Sequence, residues 1–362
     1  MNIIDNMSKI ILSFSALSQG GAGRVCANLS YALCDNYESV ILIAWNNHTL
    51  FYEFDLRARL LSVEKEVGSK NDLKRLWWFR NFVKHEKPDL ILSFMEPYNL
   101  RVLFSTIGLG VPTVVSERNE PHAINKYWLI DQFEKLVYEL ADGIVVQTPT
   151  IQRFFDGRLA SRTRVLYNPV DLPLDMVGNA LNTPKKNRVV SLARLIPQKK
   201  HDVLIRAFAK FCKNHSGYTL TIYGEGPSRD SLLQLAVSLG IGDKVSLPGN
   251  IKCVHEAILD ANMMCLVSSR EGMSNAMIEA MCLGLPCICT KVSGAVDLIN
   301  DGKNGMLVDV DDMDALAEKM RLLADDASLS YSIGHEALGL FDVLNKTKIN
   351  EEWISYLNQF IK

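Results

Sequence analysis

The densest chemistry in this chain lies between Ser268 and Ala280, where the sequence reads SSREGMSNAMIEA. An apolar run ends at Val267, a turn carries Glu271-Gly272, and a helix-period segment opens near Ser274. Ser274 suits an N-cap, and a helix start offers backbone N–H groups and a positive dipole end to an anion. Two carboxylates flank that start, Glu271 in the turn and Glu279 about two turns along the helix. An ionised carboxylate only accepts hydrogen bonds, so a pair beside an anion site suits a ligand bearing both phosphate and hydroxyl groups. Taken singly, Glu271 reads better as a solvated loop residue and Glu279 as a helix-surface residue. The strand–turn–helix setting is what favours a ligand, because open parallel sheets bind ligands beyond the carboxyl ends of their strands.

Two further stretches share that setting. Ala193–Lys200 (ARLIPQKK) follows an apolar run and precedes a helix from Asp202. Arg194 offers a two-pronged fork and Lys199 a compact cation, a pairing suited to a diphosphate; Lys200 fits a solvated loop. Gln19–Arg24 (QGGAGR) follows the first apolar run and opens a helix. Gly20 and Gly21 let the backbone approach a ligand closely, although the spacing is not the G-x-G-x-x-G of dinucleotide sites.

Such loops need a scaffold. Val-, Ile- and Leu-rich runs alternate with helix-period segments along almost the whole chain, the pattern of parallel sheets covered by helices on both faces. Expected strands in the first half are Lys9–Ser15, Ser39–Trp45, Asp89–Phe94, Pro112–Glu117, Gly143–Gln147 and Arg164–Tyr167. After a break rich in Pro, Gly and Asn come Arg188–Ala193, Thr219–Tyr223, Lys244–Leu247, Met263–Val267, Pro286–Thr290 and Gly305–Val308. The fold class is therefore α/β, with two Rossmann-like, doubly wound domains facing a central cleft. Residues 1–170 form the first, 171–187 a linker and 188–344 the second. A final helix over 345–362, with Ile349, Trp353 and Leu357 on one face, is expected to pack back on the first domain.

At 362 residues and 48% hydrophobic, the chain can support two cores. A net charge of -2 excludes holding nucleic acid by bulk electrostatics. The eight cysteines sit mostly in apolar runs without a C-x-x-C pair, which reads as reduced, buried thiols rather than zinc ligands or disulfides. Met1–Lys9 lacks the apolar core of a signal peptide, and no run nears the ~20 apolar residues of a membrane span, so the expected setting is cytoplasmic. Between Lys70 and Lys87, six cations stand against Asp72 and Glu86, with Leu73, Leu76, Trp77, Phe79, Phe82 and Val83 at helical spacing. That segment has two readings of equal standing. It is either a helix lying on an anionic membrane through Lys74, Arg75, Trp77, Arg80 and Lys84, or an ordinary helix with its aromatics in the core.

The order Gly20-Gly21, Asn168-Pro169-Val170-Asp171, Arg194, Lys199, Tyr223–Pro227 (YGEGP), Glu271-x7-Glu279 and Glu279–Pro286 (EAMCLGLP) resembles the retaining GT-B-fold glycosyltransferases of family 4. The likeness spans essentially the whole chain. Within the family it is similar to bacterial enzymes of surface-polysaccharide and lipid-linked oligosaccharide synthesis. The resemblance implies a metal-independent hexosyltransferase without cofactor. It would move a hexose or N-acetylhexosamine from a nucleotide-sugar, first of all a UDP-sugar, to a polyprenyl-diphosphate-linked saccharide at the inner face of the cytoplasmic membrane. It further implies roles for single residues. Arg194 and Lys199 would hold the donor diphosphate, Glu271 the sugar hydroxyls and Glu279 the ribose. The amides of Gly272, Met273, Ser274, Asn275 and Ala276 would bind sugar and phosphate, and Gly20-Gly21 would approach the diphosphate.

Two positions depart from the family pattern. Arg118 stands where many relatives place a donor-contacting His (His122 is near but not aligned), and Gly23 replaces the Glu of G-G-A-E-R. Asp309-Val310-Asp311 spells the D-x-D of a different, metal-using glycosyltransferase fold, but here it leads into a helix and reads as helix-start residues. Departure of a nucleoside diphosphate builds negative charge, which Arg194, Lys199 and the helix start near Ser274 can stabilise. No carboxylate stands as a covalent nucleophile, and front-face attack with retention follows from the resemblance. Two other classes compete. A non-catalytic two-domain sugar-binding protein is usually exported. An NAD-dependent enzyme wants an acid after the second strand, where Trp45-Asn46-Asn47 stands.

Overall fold

The structure is a computed structural model and describes residues 8–16, 21–46, 51–118 and 128–361. It divides into two compact units, Met1–Pro169 with Lys346–Lys362, and Val170–Asn345.

The first unit holds seven strands: β1 (Lys9–Phe14), β2 (Ser39–Ala44), β3 (Arg59–Ser62), β4 (Leu90–Phe94), β5 (Thr113–Glu117), β6 (Gly143–Val146) and β7 (Thr163–Val165). They pair in parallel in the order β3-β2-β1-β4-β5-β6-β7. Alternate side chains serve opposite faces, as a pleated strand requires. Ile10, Leu12, Phe14, Leu92 and Phe94 enter one core, while Ile11, Ile43, Trp45, Ile91 and Phe79 form the other. The Lys346–Leu357 helix closes the first of these with Ile349, Trp353 and Leu357, and Trp353 stacks on Phe94 at 5.7 Å. The buried Arg118 guanidinium lies against both rings, 4.7 Å from the Phe94 centroid and 5.4 Å from that of Trp353. Its Nη1 donates to Asn168 Oδ1 at 2.9 Å, and burial pulls its pKa down to about 10, so it stays cationic at neutral pH.

The basic segment forms a helix over Asp72–Glu86, capped by the Asn71 side chain on Lys74 N. Its inward stripe is Arg75, Phe79 and Val83, four residues apart, and Trp78 stacks on half-buried Phe82. Leu73 and Trp77 are exposed on the other side, at 77% and 69%. Two of the five expected membrane contacts are committed elsewhere. Arg75 is buried, donates Nε to Ser69 O at 2.8 Å and lies 3.9 Å from Glu64. Arg80 turns its guanidinium to the carbonyls of Ser105 and Ile107, where the Tyr98–Thr106 helix ends. The Arg80 contacts follow from a guanidinium's ability to satisfy helix-end carbonyls. Lys74, Trp77 and Lys84 remain on the outside.

The second unit holds β8 (Arg188–Leu192), β9 (Thr219–Tyr223), β10 (Val245–Gly249), β11 (Met263–Leu266), β12 (Cys287–Thr290) and β13 (Met306–Val308) in one parallel sheet, ordered β10-β9-β8-β11-β12-β13. From β8 the chain winds outward through β9 and β10, then returns to β11 and winds the other way. The order therefore reverses between β8 and β11, and in such sheets the ligand crevice opens at that switch point.

Candidate nucleotide-sugar site

The loops after β8 and β11 meet because these strands are neighbours, though they are distant in sequence. Ser269 donates its backbone N–H to Gln198 O at 2.9 Å, and Gln198 Nε2 returns a bond to Arg270 O at 3.0 Å. Lys199 donates from Nζ to Glu271 Oε2, which also accepts from Ser268 Oγ at 3.2 Å. Thr290 on β12 fixes the same turn by donating to Ser268 O at 2.7 Å. Close backbone approach locks the surroundings. Gly224 has φ +143°, and a Cβ there would overlap the Ala193 carbonyl, so the YGEGP turn can lie directly on the Arg194 loop.

An ammonium has three N–H donors, so Lys199 can hold Glu271 and still present two to a ligand. Arg194 is exposed, and its guanidinium has no partner among the described residues. Beside them the helix Asn275–Cys282 begins, with Ser274 extended and its Oγ accepting from Met277 N at 3.3 Å. Gly272 and Met273 are buried, while Ser274, Asn275 and Ala276 are partly exposed at the helix start. Glu279 is buried on the second turn, with His255 Nε2 at 3.1 Å from its Oε2. The second unit thus brings Arg194, Lys199, Glu271, residues 272–276 and Glu279 together around one sheet switch point. Such a cradle offers cations and a helix start to a diphosphate and carboxylates to hydroxyl groups.

The remaining residues sit elsewhere. Gly21 is exposed at the start of the Gly21–Asn36 helix, and Gly20 lies outside the described residues, as do Asn119, Glu120 and His122. Asp309 and Asp311 pair with Lys291 and Lys200 at 2.9 and 3.0 Å, and Asp312 caps the next helix. Among the described residues no group of three or more His, Cys, Asp or Glu side chains could hold a metal. Nor is any described helix long and apolar enough to cross a membrane.

Comparison with known proteins decides the identity. Residues 178–338 match the family Glycosyl transferases group 1, and residues 20–171 match Glycosyl transferase 4-like domain. The lipopolysaccharide core biosynthesis glycosyltransferase LpsE of Rhizobium meliloti is 30% identical, over 72% of this chain and 73% of its own. The chain belongs to the group 1 glycosyltransferases. A second relative is 28% identical over 97% of this chain and 98% of its own. It is the GalNAc-alpha-(1->4)-GalNAc-alpha-(1->3)-diNAcBac-PP-undecaprenol alpha-1,4-N-acetyl-D-galactosaminyltransferase of Campylobacter jejuni. Among solved structures, HepE of Anabaena with UDP and glucose superposes with a TM-score of 0.80. It is 18% identical, covering 97% of this chain and 99% of that one, which establishes the GT-B fold.

In this glycosyltransferase, Ser268, Gln198 and His255 support the site without having been predicted from the sequence. Gln198 and Ser268 lie within motifs already singled out. His255 carries no motif signal, since only the fold places its helix, Val254–Ile258, beside Asn275–Cys282.

Proposed function

We propose that this glycosyltransferase moves a hexose or N-acetylhexosamine from a UDP-sugar to a polyprenyl-diphosphate-linked saccharide, with retention and without a metal, in bacterial surface-polysaccharide synthesis. The observation that carries the donor half is the convergence of Arg194, Lys199, Glu271 and the Ser274 helix start at the switch point of the second sheet. As the sugar–diphosphate bond breaks, charge grows on the departing phosphate oxygen. Arg194 and the remaining Lys199 N–H groups stabilise it where it develops, together with the helix dipole. Glu271 Oε2 is held by Lys199 and Ser268, which orients Oε1 to accept from a sugar hydroxyl. Glu279 accepts from the ribose.

The acceptor half draws on the Campylobacter relative, whose name specifies an undecaprenol-diphosphate substrate, and on the LpsE relative for the polysaccharide setting. A peripheral seat at the inner membrane face is supported by the first unit's surface. Exposed Leu73 and Trp77 stand beside Lys70, Lys74 and Lys84. Phe104 and Phe133, with rings 6.4 Å apart, and Leu136 add exposed apolar area on adjacent helices.

The test is nucleotide release from a panel of UDP-, GDP- and dTDP-sugars, with and without a synthetic polyprenyl-diphosphate saccharide. Acceptor-dependent release from one UDP-hexose or UDP-N-acetylhexosamine is expected. Release from none of them, or no stimulation by the lipid saccharide, would refute the donor or the acceptor half respectively.

A further inference from the structure

Glu279 is 5% exposed and set among Met277, Ile278, Ala280 and Met281. A buried ionised carboxylate is stable only where donors surround it. His255, on Val254–Ile258, reaches it from outside its helix, with Nε2 at 3.1 Å from Glu279 Oε2 and a side chain 20% exposed. Because an ionised carboxylate only accepts, the contact assigns a proton to Nε2 of His255. The terminal torsion of a glutamate is otherwise broad, with no single preferred plane. A vicinal diol makes a strict demand on that plane, since two hydroxyls must both reach one carboxylate.

We propose that His255 is a positioning residue for the nucleotide. Its Nε2–H holds the Glu279 carboxylate in the plane that accepts both ribose hydroxyls, so selectivity for a ribonucleotide is built by two helices rather than by Glu279 alone. The inference rests on the assignment of Glu279 to the ribose. It makes His255 matter for donor binding and not for the chemical step, because ribose contacts are the same in the ground and transition states.

The experiment measures dissociation constants of UDP and 2′,3′-dideoxy-UDP by calorimetry for wild type, Glu279→Ala, His255→Ala and His255→Gln. Guanosine diphosphate and its dideoxy form are used if the wild type binds only those. Wild type should prefer the ribonucleotide by about tenfold or more, and Glu279→Ala should abolish the preference. His255→Ala should lose most of it and raise the donor KM at nearly unchanged kcat. His255→Gln, whose amide N–H reaches as far as Nε2, should regain it. If His255→Ala fails to fold, His255→Asn, whose shorter amide falls short of Oε2, takes its place. A full wild-type preference in the Ala or Asn variant, or none in the Gln variant, overturns the role of His255 and leaves the Glu279 assignment intact. A wild type that does not distinguish the two nucleotides overturns the Glu279 assignment instead, and this inference with it.

Discussion

Lys199 and Glu271 come from neighbouring loops and form an ion pair with each other. Their substitution effects should therefore differ from those of isolated residues. Removing the Arg194 or Lys199 cation takes away stabilisation needed chiefly as the diphosphate departs. Arg194→Ala and Lys199→Ala should each lower kcat by about two orders of magnitude or more, some 2.7 kcal/mol of barrier, with the fold retained. Glu271→Ala should also lower kcat, because it removes a proposed sugar contact and loosens Lys199. Glu279→Ala should raise the donor KM with a smaller change in kcat. Steady-state kinetics of the four variants check this, and equal kcat losses in both glutamate variants would contradict the division of roles. The place of the motif residues was legible because they follow apolar runs that end at the carboxyl edge of a parallel sheet. The contacts that hold them were not. Gln198 bonds to Arg270 because β8 and β11, far apart in sequence, pair as neighbours, and His255 reaches Glu279 because the helices Val254–Ile258 and Asn275–Cys282 pack together.

At the scale of elements, long apolar runs such as Ile10–Phe14 and Leu90–Phe94 were readable as strands, since burial on both faces leaves no other use for them. β3 is not legible in the sequence, because Arg59–Ser62 is short and partly exposed and holds only two apolar residues. Arg75, a membrane contact in one of the two readings of this segment, is buried, because charge says nothing of which helix face a residue occupies. Its place four residues before Phe79 puts it on the inward stripe. The Lys346–Leu357 helix supplies Trp353 to the first unit's core, at 1% exposure. Trp353→Ala should cost about 3–5 kcal/mol and lower the denaturation midpoint, because it leaves a cavity and uncovers the buried Arg118 charge. His201, at the start of the His201–Phe211 helix, has its pKa pushed down to about 4, mainly by burial. Its ring reaches the backbone of Arg194 and Ala193 without a well-formed hydrogen bond. The unfolded chain takes up that proton near pH 6.5 and the folded one only near 4. This group's contribution is thus complete above about 6.5 and declines by roughly 3 kcal/mol as the pH falls to 4. His201→Leu should flatten that acid limb in urea titrations between pH 4 and 7. An unchanged limb would show that His201 does not carry it.

At the scale of the whole molecule, the first unit offers a surface that is at once apolar and basic, and the second holds the proposed donor cradle. Lys74→Glu with Lys84→Glu and Trp77→Ser should weaken flotation with anionic vesicles by about tenfold, and added salt should weaken wild-type binding similarly. Turnover on a water-soluble acceptor should hold in the triple variant. Undiminished flotation would leave the Asp72–Glu86 helix as structure alone. In the proposed reaction the cations of the loop after β8 carry the departing charge that a metal carries in other folds. The most direct measurement of this is the rate of UDP release by wild type and Lys199→Ala, each in excess chelator. Wild type should retain its full rate while Lys199→Ala falls by about two orders of magnitude. Loss of wild-type activity restored by magnesium or manganese, or a near-normal Lys199→Ala, would contradict the account.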